Sequence, residues 1–548
     1  MNIEMMLDPH CEECEDVLQR YSRPIAHMRE QFRSGRLGLV FGAGIGKSFA
    51  FPDWKTLLGR IAKEVQGQEI LECEHNLTAQ AQQLYQRFKQ KRSAARVSKE
   101  EKNDHLLAEM KLRAEWRKLV HGCLYKGVPD SIEEIRKRDT YLGSFLEIVR
   151  NSPLTVTYNF DNMLERLLAA TRTGEQKSER GYTAIWSGNV QLPSKRGVVY
   201  HPNGFLPRGL REKPSDDLVF LEDSFADQLI DSTAGRYTAL AAHMAQTTCL
   251  LVGLSLSDPT LKHLLRQTAK AFPGHCHYRI AYTENKAPQE QQKLEAAASF
   301  NVYNLLTLHL TTPEYKALAT LISLAEDRLM PVAEQFGATS CFRFMVTGAV
   351  GVGKSTLISH MRSLLIQDEW TEERPSGMEK APDLLTSDQK RLIDKWIAEQ
   401  IAQKNLNLMN AATGVHLVDR APLDAFAFTS EKKWKEKARL IRSSINPGKA
   451  KKRKLVGAHV IFLVGDPRVM AARAISVNKL TTAERLKRQQ DLLKHVYEPL
   501  GLGVTVVDTT HKTIPEVVKE CAEIVFFREY HEADLDYRLN EILEKGYE

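Results

Sequence analysis

Short apolar runs, each breaking off at a polar or turn residue, recur along this chain. Residues 37–41, 154–157, 198–200, 218–220, 250–252 and 277–282 read as buried strands, because each is continuous in apolar character rather than helically spaced. Residues 289–297 read as a helix, 300–303 as a further strand and 312–328 as a closing helix. After the first strand–helix unit the pattern changes. Residues 77–125 are heavily charged and carry Leu106, Leu107, Met110, Leu112 and Trp116 at helical spacing, which predicts an inserted helical layer. The alternation predicts a doubly wound α/β domain over residues 1–329. Residues 330–340, with one proline and one glycine, read as a linker. Strand-like runs at 342–347, 415–419, 460–464 and 504–508, with a helix at 357–365, then predict a second α/β domain over 341–548. No repeat links the two halves.

Composition narrows the class. The chain has 548 residues, too many for one core, and its 43% hydrophobic and 26% charged content is that of a soluble globular protein. No apolar run approaches the ~18 residues of a membrane span. The stretch MNIEMMLDPHCEECED is acidic and lacks an apolar segment, so no secretion signal is expected. Eight cysteines without framework spacing fit reduced thiols in a cytoplasm. The net charge of +7 admits phosphate-bearing ligands without indicating nucleic acid.

Two glycine-rich turns follow strands. The first lies within LGLVFGAGIGKSFAFPDW at residues 37–54. Gly42, Ala43 and Gly44 let the backbone turn tightly and approach a phosphate, which the following amides and helix start can hold. Gly46-Lys47-Ser48 has the ending of a P-loop. GxxxxGK[ST] would, however, need glycine where Phe41 stands, so a dinucleotide-type turn is expected. The second turn, Gly348-Ala349-Val350-Gly351-Val352-Gly353-Lys354-Ser355-Thr356, matches GxxxxGK[ST] in full between a strand and a helix. Its amides can cradle a β-phosphate, Lys354 can reach the β/γ oxygens and Ser355 can coordinate Mg2+, with ATP or another nucleoside phosphate as ligand.

Three more polar stretches stand at strand ends: Thr157-Tyr158-Asn159-Phe160-Asp161, His201-Pro202-Asn203-Gly204, and Gly253-Leu254-Ser255-Leu256-Ser257-Asp258-Pro259. In an open parallel sheet such ends line one crevice. With the Gly42 turn and its Pro52-Asp53-Trp54 sequel, they resemble the sirtuin-like NAD-consuming domains of bacterial anti-phage defence proteins. The patterns there are GAGxS with a Pro-Asp/Ser-Trp element, T-x-N-x-D, a His-Gly turn and GxSxxDP. The resemblance spans about residues 33–328 and implies a sirtuin-like fold with NAD+ as substrate. It implies cofactor contacts from Gly42, Ala43, Gly44, Asp53 and Asn203, and an adenosine side held by Gly253, Ser255 and Asp258. It gives Asn159 the task of placing a water or a ribose hydroxyl, and Asp161 that of anchoring the loop or a ribose hydroxyl. In that family the catalytic histidine immediately precedes the glycine. Here Asn203 stands in that place and His201 lies two residues earlier, so either His201 serves as base on a shifted turn or the site is weakened. The paired CxxC zinc module of deacetylating sirtuins is missing. Cys11 and Cys14 form one CxxC, with only His10 and Cys73 as conceivable partners, which argues against a protein deacylase.

In the second domain the strand ending Val418-Asp419-Arg420 resembles the acid–arginine element of nucleoside and nucleotide kinases. That implies Asp419 as base or magnesium partner and Arg420 as a phosphate contact, with Asp424 a further acid. Arg473, Arg485 and Arg488 lie where such kinases put a basic lid, while Lys451, Lys452, Arg453 and Lys454 read first as a solvated loop. Two function classes follow. One is a defence effector that hydrolyses NAD+ and is gated by a nucleotide at the P-loop, as a homo-oligomer answering a phage-derived trigger or an operon partner. The other is a nucleotide kinase whose first domain senses NAD+ or serves assembly.

Overall fold

The computed structural model describes residues 7–68, 76–95, 105–170, 182–186, 197–209, 213–216, 218–233, 238–256, 258–283, 288–378, 385–446, 453–476 and 481–547. Cys73, Ser257, Lys451 and Lys452, singled out above, lie outside them. The chain divides into two compact units. The first comprises Met1–Val17, Gln31–Ala271 and Cys276–Ser323, the second Leu18–Glu30, Phe272–His275 and Leu324–Glu548. No helix of the described residues is long and apolar enough to cross a membrane.

The first unit is built on a seven-stranded sheet. Its strands are β1 (Leu37–Phe41), β2 (Thr155–Thr157), β3 (Tyr182–Ile185), β4 (Gly197–Tyr200), β5 (Thr248–Val252), β6 (His277–Tyr282) and β7 (Leu305–Leu310), in the order β3-β4-β2-β1-β5-β6-β7. Every pairing is parallel. All residues of β1, β2 and β5 are buried, as expected for strands covered by helices on both faces. The chain leaves β1 toward β2 on one side and returns as β5 on the other. The strand order therefore reverses at β1, which is the point where open α/β sheets place a ligand crevice, at the carboxyl ends of β1 and β5. The inserted layer consists of the helices Leu77–Ala95 and His105–Leu124. Trp116 is buried there against Tyr85 and Phe88, whereas Leu106, Leu107 and Met110 are exposed.

The second unit carries β8 (Cys341–Gly348), β9 (Leu365–Gln367), β10 (Gly414–Asp419), β11 (His459–Val464) and β12 (Val504–Asp508), a five-stranded parallel sheet in the order β12-β11-β8-β10-β9. Its order reverses at β8, whose carboxyl end runs into the P-loop. Its core gathers Phe426, Trp434, Phe462 and Tyr497 on one side of the sheet.

Four expectations change. Residues 218–220 form a turn, because the Val219 amide donates to the Asn203 carbonyl and the Phe220 and Leu221 amides donate to Ser224 Oγ. Residues 300–303 extend the helix Gln289–Tyr303, which ends at left-handed Asn304 (φ 53°), and the strand is β7 instead. The proline-containing linker is largely the helix Glu326–Gln335. The helix after the P-loop is Lys354–His360, shorter than residues 357–365 suggested.

Candidate functional site

At the β1/β5 reversal two glycine turns meet backbone to backbone. The Gly42 amide donates to the Val252 carbonyl, the Gly44 amide to the Gly253 carbonyl at 3.0 Å, and the Ile45 amide back to Gly42. A Cβ on Gly44 would stand 2.8 Å from the Gly253 Cα, and one on Gly253 2.8 Å from the Ile45 nitrogen. The glycines are therefore demanded by this close approach. The phosphate cradle expected of the amides that follow these glycines is corrected in one respect, since the Ile45 amide already donates within the protein, as do those of Gly42 and Gly44 themselves. Ala43 sits exposed at the tip of the turn. Tyr141 adds a hydroxyl bond to the Gly44 carbonyl at 3.2 Å.

The end of β2 is tied to the same turn. Tyr158 donates its amide to Phe41, and the Asn159 carboxamide nitrogen donates to the Gly42 carbonyl at 3.1 Å. Asp161 accepts from the Met163 amide at 2.9 Å and so fixes the loop to the start of the helix Met163–Ala170. Burial is the main cause that raises its carboxyl, to about 6, with the charge of Glu165 adding. The structure thus brings Gly42, Gly253, Asn159 and Asp161 to one edge.

His201 follows β4 and is fully buried. Its Nδ1 is 2.9 Å from the Asn159 carbonyl and its Nε2 2.7 Å from Glu165 Oε1. A carbonyl can only accept, so Nδ1 carries a hydrogen, and the single nitrogen able to accept a proton faces Glu165. Burial by itself lowers the imidazole. The charge and hydrogen bond of Glu165 outweigh it and raise the imidazole above its ordinary value. The expectation that His201 takes a proton from ribose or water is corrected accordingly, because neither ring nitrogen is left for a substrate in this arrangement.

Asn203, immediately before Gly204, is also committed. Its side chain bonds Asp258 and accepts from Gln228 Nε2 at 3.1 Å, and Gln228 in turn accepts from the Thr260 hydroxyl. Asp258 caps the helix Pro259–Ala271 through the Leu261 amide at 2.8 Å, and burial raises its carboxyl. Ser255 is exposed. Asp53 is exposed and caps the helix Trp54–Gln66 by accepting from the Thr56 amide, which lowers its carboxyl. Trp54 packs on Phe220 and Phe225.

The P-loop of the second unit adds backbone conformation to close approach, since a Cβ on Gly348 would stand 2.5 Å from the Leu463 carbonyl oxygen. Gly348, Gly351 and Gly353 take φ of 147°, 78° and 108°, a region that favours glycine. Lys354 is nine-tenths buried and donates to the Gly348 and Ala349 carbonyls at 2.6 and 3.0 Å. Burial lowers its ammonium to about 8, helped by the charge of Arg420. Ser355 and Thr356 face outward on the first helical turn. Gln489 accepts from the Val350 amide, and Asp424 accepts from Thr347 and Tyr497 beneath the loop. Asp419 ends β10 in register with Val346. Its Oδ1 is buried without a partner among the described residues, and burial together with Glu369 raises the carboxyl. An unpartnered carboxylate oxygen is a donor that suits Mg2+. No group of three or more histidine, cysteine or acidic side chains that could hold a metal by themselves occurs among the described residues. Such an ion would therefore draw its other ligands from phosphate and water.

Arg420 has a left-handed backbone (φ 70°), pairs with Glu369 at 2.7 Å and lies over the rings of Trp370 and Phe428. It is held by protein partners beside the site. Of the basic lid, Arg473 is fastened to Thr509 and Arg488 to Glu431, whereas residues 477–480 lie outside the description. Lys404, unremarked in the sequence, donates to the Asp419 carbonyl at 2.6 Å, and burial lowers it to about 8.

Glu165, Gln228, Gln489 and Lys404 are the residues that motif reading missed. Gln489 had a detectable signal, as a polar residue on the buried stripe of Leu486 and Leu493.

A family model described as a SIR2-like domain matches residues 153–303. The comparison with curated proteins gives no match. Among solved structures the chain is similar to a deoxyadenosine kinase from M.mycoides with products dCMP and a flexible dCDP bound (16% identity, 33% of this chain and 97% of that one, TM-score 0.27). It is also similar to NadR protein in complex with NAD and AMP-PNP (10% identity, 69% and 89%, TM-score 0.25).

Proposed function

We propose that the first unit binds NAD+ at the β1/β5 edge and hydrolyses it to nicotinamide and ADP-ribose, that a magnesium nucleotide at the P-loop gates the reaction, and that the protein is an effector of anti-phage defence. The observation that carries the reading is the Asn159 carboxamide, held on the Gly42 carbonyl where the strand order reverses. The SIR2-like match over residues 153–303 supports it. Nicotinamide leaves NAD+ as a neutral molecule from a cationic ring, so departure requires no acid. The ribose cation that remains is captured by water, which releases one proton to solvent. The protein's part is then to orient ribose and place that water. The carboxamide nitrogen of Asn159 is anchored, and its oxygen serves a ribose hydroxyl or the water. Asp161 keeps the loop in register, and Asn203 with Asp258 frames the far side. Ser355 and Asp419 would hold Mg2+, which would screen nucleotide phosphate charge, and Lys354 would turn from the loop carbonyls to the phosphates.

A second reading is favoured by one observation. His201 and Asn203, the two candidates for the family histidine, are both tied into the protein. On that reading the first unit senses NAD+ without cleaving it and the second transfers phosphate. Purified full chain incubated with NAD+ and a panel of nucleoside and deoxynucleoside phosphates separates the two. Nicotinamide release supports the first reading. Intact NAD+ with phosphate transfer to a nucleoside acceptor overturns it.

A further inference from the structure

Glu165 and His201 form a fully buried pair beside the Asn159 loop. Glu165 lies on the first turn of Met163–Ala170, with Oε1 on His201 and Oε2 buried without a partner among the described residues. His201 spends its other nitrogen on the carbonyl of Asn159. The same Asn159 sends its side chain to Gly42. One residue is thus gripped at its peptide from the β4 side and at its carboxamide from the β1 side. With its peptide plane fixed, the carboxamide has few rotamers left that keep the Gly42 bond.

We propose that Glu165 is a positioning residue. Acting through His201, it fixes the Asn159 peptide so that the carboxamide meets the ribose of a dinucleotide at the β1/β5 edge. This rests on the NAD+ reading above. Glutamine at 165 can donate an amide hydrogen to a neutral His201 Nε2 while Nδ1 still donates to Asn159, so the geometry survives loss of the charge. Alanine leaves the ring without that partner.

The test is made on the full chain with Glu165→Ala and Glu165→Gln. Nicotinamide release gives kcat and KM, and amide hydrogen exchange is followed over residues 157–165. In Glu165→Ala, kcat is expected to fall on the order of 10²-fold with KM for NAD+ nearly unchanged, because misplacement of an orienting group by about 1 Å costs that much. Exchange over the segment should accelerate. Glu165→Gln should restore both. Wild-type turnover in Glu165→Ala would overturn the proposal. So would a Glu165→Gln variant that loses turnover while its exchange is unchanged, since that outcome makes His201 a proton acceptor. If Glu165→Ala does not fold, the Gln variant decides. If the wild type releases no nicotinamide, it is the hydrolase reading that fails. The exchange data then judge the pair alone: acceleration in Ala and not in Gln upholds it, and equal exchange in all three rejects it.

Discussion

The two glycine turns look alike in sequence and work by different physics. Both follow a buried parallel strand, and both end in Gly-Lys-Ser. Around Gly44 the glycines exist because another backbone, that of Gly253, passes within contact, and the amides of Gly42, Gly44 and Ile45 serve the protein. Around Gly351 the chain itself adopts positive φ as well as meeting neighbours, since a Cβ on Gly351 would collide with the Met470 carbonyl oxygen, and the lysine closes on the loop carbonyls. The difference comes down to one position. Phe41 is the last residue of β1, in register with Thr157 and Val252, whereas Gly348 ends β8 at φ 147° and starts the loop. A glycine pattern therefore reports a close neighbour, a positive φ or both, and only the surrounding geometry says which.

The largest expected effect lies at the first turn. Asn159→Ala should reduce nicotinamide release on the order of 10²–10³-fold, the range for losing one polar group aimed at a developing charge. The circular dichroism spectrum should be unchanged. Release at the wild-type rate would remove Asn159 from the site.

A stability comparison follows. Gly44→Ala drives a methyl to 2.8 Å from the Gly253 Cα, an overpacking that should cost about 1–3 kcal/mol. Gly353→Ala meets nothing within 4 Å and should cost about 1–2 kcal/mol through its left-handed backbone alone. Denaturant unfolding of each variant measures both. Insensitivity at Gly44 would mean that the Gly44 and Gly253 backbones are not in contact.

The smallest effect is a proton count. Lys354 titrates near 8 when folded, against an ordinary 10.5. Its folded value is lowered, so its contribution to stability is present above 10.5 and is lost as pH falls through about 8. A bound phosphate restores the ammonium, so nucleotide binding near pH 9 should take up about one proton. Calorimetry in buffers of different ionisation enthalpy reads this uptake, and Lys354→Met should remove most of it.

How much of this was legible in the sequence depends on how local each feature is. β1, β5, β8, β10 and β11 could be read because strands covered on both faces are continuously apolar. β3 escaped because Tyr182, Thr183 and Ala184 are only half-buried. The P-loop and the Asn159 strand end are contiguous motifs and were visible. His201 was visible as a residue but not in its role. Its partner Glu165 lies 36 positions away on a helix, and only the fold places that carboxylate 2.7 Å from the ring. Gln228 is unreadable for the same reason, since it joins Asn203 to Thr260 across three elements.

The central claim is that a nucleotide at Lys354 controls NAD+ cleavage at Asn159. Coupling of this kind requires that the nucleotide bind one state of the chain better than another. NAD+ cleavage should therefore be measured against magnesium-nucleotide concentration for the wild type and Lys354→Ala. The wild type should show a saturable dependence. The variant should lose it, or shift it by about a hundredfold, the ~3 kcal/mol of a lost buried charge partner, while keeping its affinity for NAD+. Superimposable curves for the two proteins would show that the glycine turns act independently, and would contradict the account.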